Sequence, residues 1–513
     1  MFIKVPSATN LGLETIRVDV EVNIAHRGLP VFEIVGLPSK AIDESRERVR
    51  TAIINSGLEF PSRRIIVNLA PADLPKEGSF YDLPIAVGIV SQVLQIGPPK
   101  NSLFFGELSL DGTLRHTRGA LLLALFAKEQ GFKNIFVPRQ SANEAAIIKG
   151  VNVYPIENLC QLFNHLLGKT QIKPAEYQGQ SRKGEEPEFD MKEVLGQEQA
   201  KRAMEIAASG GHNLFMLGSP GSGKTMLARA LPGILPALEE EESLEVTKIY
   251  SVSGQIPPEG SLLTICPFRA PHHTISQAGL IGGGSNPRPG EISLAHRGVL
   301  FLDEFSEFPR SVMEALRQPI EDGKLTISRS KAQVNYPARF ILVASSNPCP
   351  CGYLYHPKKK CICTEREIRK YRKRVSGPIL DRIDLHIEVP VVDVKELSGL
   401  GTEPSEKIRE RVIKAREIQR KRFACRGEVF SPSGQQIFTN AEMKNAHIKK
   451  YCPLSQEVKR ILSQAGLSFN LSARAYFKMI KIARTIADLE GAEEITVPHM
   501  AEALQYRAKR NIE

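Results

Sequence analysis

Eight consecutive residues, Gly218-Ser219-Pro220-Gly221-Ser222-Gly223-Lys224-Thr225, carry the spacing G-x-x-x-x-G-K-[ST]. Glycines in such a loop let backbone N–H groups curl around phosphate oxygens. Lys224 then neutralises β- and γ-phosphate charge, and the Thr225 hydroxyl is available to Mg2+. An apolar strand, Asn213–Leu217, runs into the loop, and a helical stretch, Met226–Leu231, leaves it. Downstream, the apolar run Val299–Leu302 ends in Asp303-Glu304. Asp303 is suited to hold Mg2+ through water, and Glu304 to orient and deprotonate an attacking water. A third apolar run, Phe340–Ser345, leads to Asn347, which would sit between the two motif strands and position that water. Taken alone, Asn347 reads better as a turn-former before Pro348, and the other two motifs reverse that. The three motifs together point to hydrolysis of a nucleotide, with Mg2+ as the expected metal.

Four of the eight cysteines fall within 15 residues, as the pairs Cys349/Cys351 and Cys361/Cys363. Two close thiolate pairs can close a tetrahedral Zn2+ site. Metal-free thiols and an iron–sulfur site are the alternatives, and His356 between the pairs is a substitute ligand. Cys160, Cys266, Cys425 and Cys452 are scattered and read as structural. Lys358, Lys359 and Lys360 open a basic window, residues 358–382, with 10 Lys/Arg against 3 acids. Charge on a compact knuckle suits a phosphate backbone; a solvated face, or arginines at subunit interfaces, would give the same composition. A hairpin over Leu325–Tyr336 carries Arg329 and Lys331 at its tip. The glycine-rich stretch Ile281–Gly290 presents Arg288. The adjacent His272 and His273 cannot easily face one metal on a regular strand, and read as structural or substrate-contacting.

These residues need a scaffold to position them. At roughly 100–200 residues per domain, 513 residues make about three domains. With 42% apolar and 24% charged residues, global disorder, collagen and small disulfide scaffolds are excluded. No apolar run is long enough to span a bilayer, and the N-terminus lacks a signal-peptide layout. Eight cysteines without an export signal fit reduced thiols and a cytoplasmic location. Residues 1–168 alternate strands (Arg17–Ile24, Leu29–Val35, Arg64–Leu69, Phe104–Leu108, Asn134–Val137) with helices (Ala41–Ser56, Tyr81–Gln95, Ala120–Gln130). A turn at His26-Arg27-Gly28 would fold Leu29–Val35 back on Arg17–Ile24. Residues 169–189 read as a polar linker, 190–394 as an α/β core with the cysteine-rich insert at 349–363, and 395–513 as helical. Helix Ser405–Phe423 holds eight Lys/Arg around a thin stripe of Ile408, Val412, Ala415 and Gln419, and reads as a solvated helix or a DNA contact.

The motif order, with Phe268–Thr274, Pro289–Gly298 and Ser376-Gly-Pro-Ile-Leu-Asp-Arg-Ile-Asp384, resembles the magnesium-chelatase-like branch of AAA+ ATPases. With the cysteine cluster and the N-terminal region, the chain resembles the ComM/YifB group associated with bacterial competence, whereas chelatase subunits lack that cluster. The resemblance implies a P-loop AAA+ core with a helical lid. It also implies Arg382 as the arginine finger reaching a neighbouring subunit's γ-phosphate (Arg374 being the other candidate) and Arg474 as the lid arginine that senses nucleotide. The N-terminal domain resembles the ribosomal-S5-like α+β fold of Lon-type proteases through Pro75–Gly78 and Gly106–Gly112. Phe80 stands where that family has its serine, and Ala120–Ala127 contains no lysine, so the domain is expected to be non-catalytic. The implied activity is that of a homo-oligomeric, hexameric ring with no membrane association. It would translocate on DNA, its hairpin gripping the backbone, and promote branch migration of heteroduplex in recombination and natural transformation. A remodelling ATPase acting on a protein or a metal-inserting partner is the alternative, and a Lon-like protease a third.

Overall fold

The computed structural model describes residues 2–25, 29–36, 40–72, 76, 78–177, 179, 188–256, 262–284, 287–329, 332–392, 403–424, 437–469 and 471–507. Lys331, the side chain of Arg329, the turn at 26–28, Pro75 and Glu77, linker residues 180–187, Cys425 and the stretch 393–402 lie outside the described residues.

Five parallel strands organise the centre: β1 (Leu214–Leu217), β2 (Phe268–Arg269), β3 (Val299–Leu302), β4 (Ile341–Ser346) and β5 (Leu385–Glu388). Their spatial order is 2-3-4-1-5. β1, β3 and β4 are buried throughout, which explains why they read as continuous apolar runs without alternation. In an open parallel sheet, ligands bind beyond the carboxyl ends of the strands where the winding reverses. Here that crevice lies between β1 and β4, the strands that lead into the glycine loop and Asn347.

Among the described residues the N-terminal region has three sheets, of four, three and two strands. Phe2–Leu11, Glu14–Ile24, Ile65–Ala70 and Phe32–Val35 lie side by side in that order. The hairpin expected at residues 26–28 is not the pairing found, because Phe32–Val35 runs parallel to Ile65–Ala70. The intervening helix, Lys40–Asn55, makes this a strand–helix–strand crossover, which gives parallel neighbours. The expected strand Phe104–Leu108 is split into Ser102–Phe104 and Glu107–Leu108, which belong to different sheets. Ser79 donates its hydroxyl hydrogen bond to Glu107, and Lys76 donates to the carbonyls of Gly36 and Pro71. No serine–lysine pair forms among these residues.

Several contacts fasten this region to the centre, among them the Gly119 N–H donating to Ser251 O at 3.1 Å. The turn at Gly12 lies so close to Val334 that a Cβ there would sit 2.1 Å from its Cγ1. Val334 belongs to the hairpin Lys324–Arg329/Ala332–Pro337, which forms as expected. Glu144, buried and with its carboxyl pushed above the usual range by that burial, accepts from the Leu121 backbone and the Ser251 hydroxyl.

The C-terminal helices Ser405–Ala424, Asn445–Tyr451, Gln456–Ser468, Ala473–Leu489 and Val497–Gln505 share one apolar core with the face of the sheet bearing Leu214, Val299 and Val343. Ile408, Val412, Ala415 and Gln419 are buried as the stripe predicted. No helix among the described residues is long and apolar enough to cross a membrane. Asp488, fully buried, holds these helices together by accepting from Arg422, Arg484 and Asn440. Removing one partner of a buried ionic cluster leaves uncompensated charge, at a cost of about 3–5 kcal/mol. Asp488→Ala is therefore expected to lower the melting temperature by calorimetry, while Glu417→Ala at an exposed position changes it little.

Candidate nucleotide site and cysteine cluster

The loop after β1 and the carboxyl ends of β3 and β4 enclose a cavity of about 420 Å3 lined by Pro220–Met226, Asp303, Glu304 and Ser345–Asn347. All residues assigned from sequence to the phosphate loop, the Asp-Glu pair and the Asn347 position converge here, apart from Gly218 and Ser219 at the entry to the loop. Gly223, with φ of +90°, opens the helix Lys224–Ala230. The helix N-terminus therefore faces the cavity with free N–H groups.

Lys224 is only 8% exposed. Its ammonium donates to the Gly218 and Ser219 carbonyls (2.7 and 2.9 Å) and reaches Asn347 Oδ1 at 3.4 Å. Burial pulls its pKa below the ordinary lysine value, and Asp303 and Glu304 oppose that pull. Thr225 Oγ1 donates to Asp303 Oδ2 at 2.8 Å, so the two candidate Mg2+ ligands are neighbours. Asp303 Oδ1 accepts from the Ser345 hydroxyl and, at 3.0 Å, from the Glu304 backbone N–H. Glu304 itself has left-handed backbone, φ +50°, a conformation uncommon for a non-glycine residue and typical of functional turns.

Sequence reasoning missed two participants. Ser345 was read only as part of a strand, and its hydroxyl fixes Asp303. His273, read as structural or substrate-contacting, places Nδ1 3.4 Å from Glu304 Oε2. The signal for His273 was topological: β2 lies beside β3, so a residue after β2 can reach one after β3.

The arginines expected to act on phosphate are elsewhere. Among the described residues, no arginine lines the phosphate-loop cavity. Arg382 and Arg474 both pair with Glu321, Arg382 at 2.9 Å. They line a second cleft of about 820 Å3 with Asn213, Gly298, Ile341 and Asp384. Those four positions mark the amino ends of β1, β3, β4 and β5, the opposite edge of the sheet. Arg374 pairs with Glu307 at 2.7 Å.

The four cysteine sulfurs lie within 4.8 Å of one another. Cys349–Cys351, Cys351–Cys361 and Cys349–Cys361 are separated by 3.4, 3.5 and 3.7 Å. A tetrahedron with Zn–S bonds of about 2.3 Å has edges of about 3.8 Å, whereas a disulfide needs about 2.05 Å. The donor set fits a closed, four-thiolate metal site. Backbone N–H groups of Tyr353 and Ile362 pull the Cys351 thiol below its ordinary pKa, and burial pushes Cys349 up. His356 instead accepts from the backbone of Lys358 and Lys359, outside the cluster. Cys266 and Cys452 are buried as structural thiols, but Cys160 is exposed.

Lys358, Lys359, Lys360 and Arg288 are exposed. The basic helix Ser405–Ala424 is not a free face. Arg409 donates to Gly233 O, Arg411 pairs with Glu205 and Glu403, and Arg416 donates to Ala208 O. Arg420 and Arg422 pair with Glu239 and Asp488.

Family models described as magnesium chelatase, subunit ChlI; subunit ChlI of Mg-chelatase; and magnesium chelatase, subunit ChlI C-terminal match residues 190–397, 20–141 and 402–507. Competence protein ComM of Haemophilus influenzae is 41% identical over 98% of this chain and 96% of its own length. YifB of Escherichia coli is 42% identical over 97% of this chain and 95% of its own. The chain belongs to the ComM/YifB family of magnesium-chelatase-like proteins. This family's likeness to chelatase itself is narrower: the magnesium-chelatase 38 kDa subunit of Rhodobacter capsulatus is 27% identical over 32% of this chain and 51% of its own length. Membership in this AAA+-type family accords with the parallel sheet and with ATP and Mg2+ as ligands.

A hydrogen bond to a charged group contributes about 1.5–3 kcal/mol. Lys224→Ala is therefore expected to weaken binding of a fluorescent ATP analogue about 10- to 100-fold, read by titration. Elemental analysis is expected to find one zinc per chain, lost in Cys361→Ser.

Proposed function

We propose that this protein is an ATP-driven, ring-forming motor that acts on DNA. Hydrolysis is carried by one observation: Lys224, Thr225, Asp303, Glu304 and Asn347, from three separate segments, line a single cavity. Gly218–Gly223 cradle the phosphates through backbone N–H groups, and Lys224 turns from its loop carbonyls to the β- and γ-phosphates. Thr225 and Asp303 would hold Mg2+, which would supply neutralisation of phosphate charge. Glu304 accepts a proton from the attacking water, Asn347 orients that water, and His273 limits where the Glu304 carboxylate can swing. The cysteine cluster holds Zn2+ as a structural ion.

Arg382 and Arg474 belong to the neighbour's site on this reading. Their position at the amino edge of the sheet supports it, because a same-chain phosphate at the carboxyl edge is a strand length away. Supplying the finger in trans makes hydrolysis depend on assembly. A hexamer is the assembly that the family resemblance favours, built from residues 190–394 as core and 395–513 as lid. Residues 1–168 serve as a non-catalytic S5-like module joined by the 169–189 linker.

DNA is supported by Arg288 and the exposed Lys358–Lys360, and by the basic residues Arg329 and Lys331 in the hairpin's sequence. Similarity to the competence protein of Haemophilus influenzae extends the reading to natural transformation, and the family resemblance extends it to branch migration of heteroduplex in the cytoplasm.

General-base catalysis contributes about 10²–10⁴-fold. Glu304→Gln is expected to bind ATP and assemble, yet lose hydrolysis by about that factor and leave synthetic three- and four-stranded joints unmoved. Mixing it with Arg382→Ala, also inactive alone, restores ATPase at interfaces that combine an intact Glu304 with an intact finger. No recovery on mixing removes the trans assignment. Replacing Lys358–Lys360 by glutamate is expected to weaken DNA binding and to flatten its salt dependence by about one unit of slope per lost phosphate contact. Unchanged DNA-stimulated ATPase in that variant leaves a protein or metal-insertion partner as the better reading.

A further inference from the structure

The cysteine knuckle is continuous with the nucleotide pocket at three places. First, only Pro348 separates Asn347, at the end of β4, from Cys349, which is completely buried. Second, the knuckle's opening turn touches the phosphate loop. Gly352 N–H donates to Cys349 O at 3.0 Å, and Gly352 has φ of +81°. A Cβ placed on it would lie 2.5 and 2.7 Å from Cδ and Cγ of Pro220, and 3.9 Å from Asn347 Cγ. The backbone of the knuckle therefore lies directly on the loop, and only glycine permits that approach. Third, the chain leaving Cys363 enters a helix, Glu365–Arg372, capped by Thr364. Tyr371 on that helix accepts from Ser306 Oγ at 2.6 Å, and Ser306 in turn contacts Ser346 Oγ at 3.2 Å. Ser306 stands two residues after Glu304.

Between Cys349 and Cys363 no helix or strand forms. A loop of this length without regular structure holds one shape only if something closes it. The four sulfurs, at metal-binding separations, are the closure available within it.

We infer that the metal-held knuckle is a brace for the nucleotide pocket, with Gly352 and Pro220 as its bearing surface, so that metal and nucleotide bind cooperatively. This rests on the reading of 218–225 as the phosphate site and of the cysteines as metal ligands. With the metal bound, the turn at Gly352 confines Pro220 and fixes the path of Asn347. When the metal leaves, the turn loosens, and nucleotide binding must then supply the ordering itself. Linkage makes the effect reciprocal: whatever factor the metal adds to nucleotide affinity, nucleotide adds to metal affinity. Gly352 and Pro220 are positioning residues in this scheme.

The experiment uses the full zinc-loaded chain. Zinc transfer to the colorimetric chelator 4-(2-pyridylazo)resorcinol is followed with and without a saturating non-hydrolysable ATP analogue and Mg2+. Zinc retention is expected to rise about tenfold with the analogue, and the affinity for a fluorescent ATP analogue to fall about tenfold once zinc is removed. Gly352→Ala, still holding one zinc, is expected to bind the fluorescent analogue about tenfold more weakly. In Pro220→Ala, the zinc state no longer changes nucleotide affinity. Zinc retention indifferent to saturating nucleotide overturns the brace, as does zinc-loaded Gly352→Ala binding like the unaltered chain. The retention measurement does not require a folded metal-free protein, so unfolding on zinc removal leaves the test intact. A purified chain without metal, or one that binds no nucleotide when zinc-loaded, overturns the metal or nucleotide reading instead.

Discussion

The carboxylate of Asp303 is the constraint on which the site turns. It accepts from Thr225 in the helix after β1, from Ser345 in β4 and from the backbone N–H of Glu304. Three segments far apart in sequence are thereby referred to one acceptor. What places Asp303 is the register of β3, whose Val299–Leu302 pair with Ile341–Ala344. Side chains alternate faces along a strand, so a one-residue slip would carry Asp303 to the wrong side. Leu300 and Leu302 pack in one apolar cluster while Val299 and Phe301 pack in another on the opposite face. The hydrophobic division between the two layers thus sets the geometry of the polar site.

That division explains what could be read without coordinates. The phosphate loop, the Asp-Glu pair and Asn347 were legible because each is encoded by local spacing beside a buried apolar run. His273 and Ser345 were not, since their relevance depends on the order 2-3-4-1-5 that no local pattern carries. The helical stripe of Ile408, Val412, Ala415 and Gln419 was legible from its period. The first strand, Phe2–Leu11, was not: Pro6 interrupts it, and an edge position tolerates a missing N–H. The pairing of Phe32–Val35 is not legible locally, because the turn-like tripeptide His26-Arg27-Gly28 suggests a hairpin while the helix Lys40–Asn55 that follows makes the parallel crossover.

Glu321 gives the far edge of the sheet its character. Two guanidinium groups share it, one partly buried on Arg382 and one largely exposed on Arg474. Exposed ion pairs contribute little to stability, with a median of about 0–1 kcal/mol. That estimate suits the Arg474 pair; Arg382 is held more firmly, since it also donates to Pro378 O at 2.7 Å. On the proposed reading the chain would carry the two halves of a nucleotide site on opposite edges of one sheet.

The charge excess must then be judged by what faces outward. On the helix Ser405–Ala424, Arg409, Arg411, Arg416, Arg420 and Arg422 have carbonyl or carboxylate partners within the chain, so much of that basicity serves packing. Burial pushes the pKa of Arg416 down, the mark of a side chain held by the fold. The lysines at 358–360 differ, being exposed on a loop, with Lys359 lying 4.8 Å over the Tyr353 ring. That loop is the one whose turn bears on Pro220. An anion bound there can alter the nucleotide pocket only through a difference in affinity between its braced and loosened forms. The Gly352–Pro220 contact is where such a difference would be transmitted. A substrate charge and a nucleotide phosphate would then communicate through one glycine, with no rearrangement of the sheet.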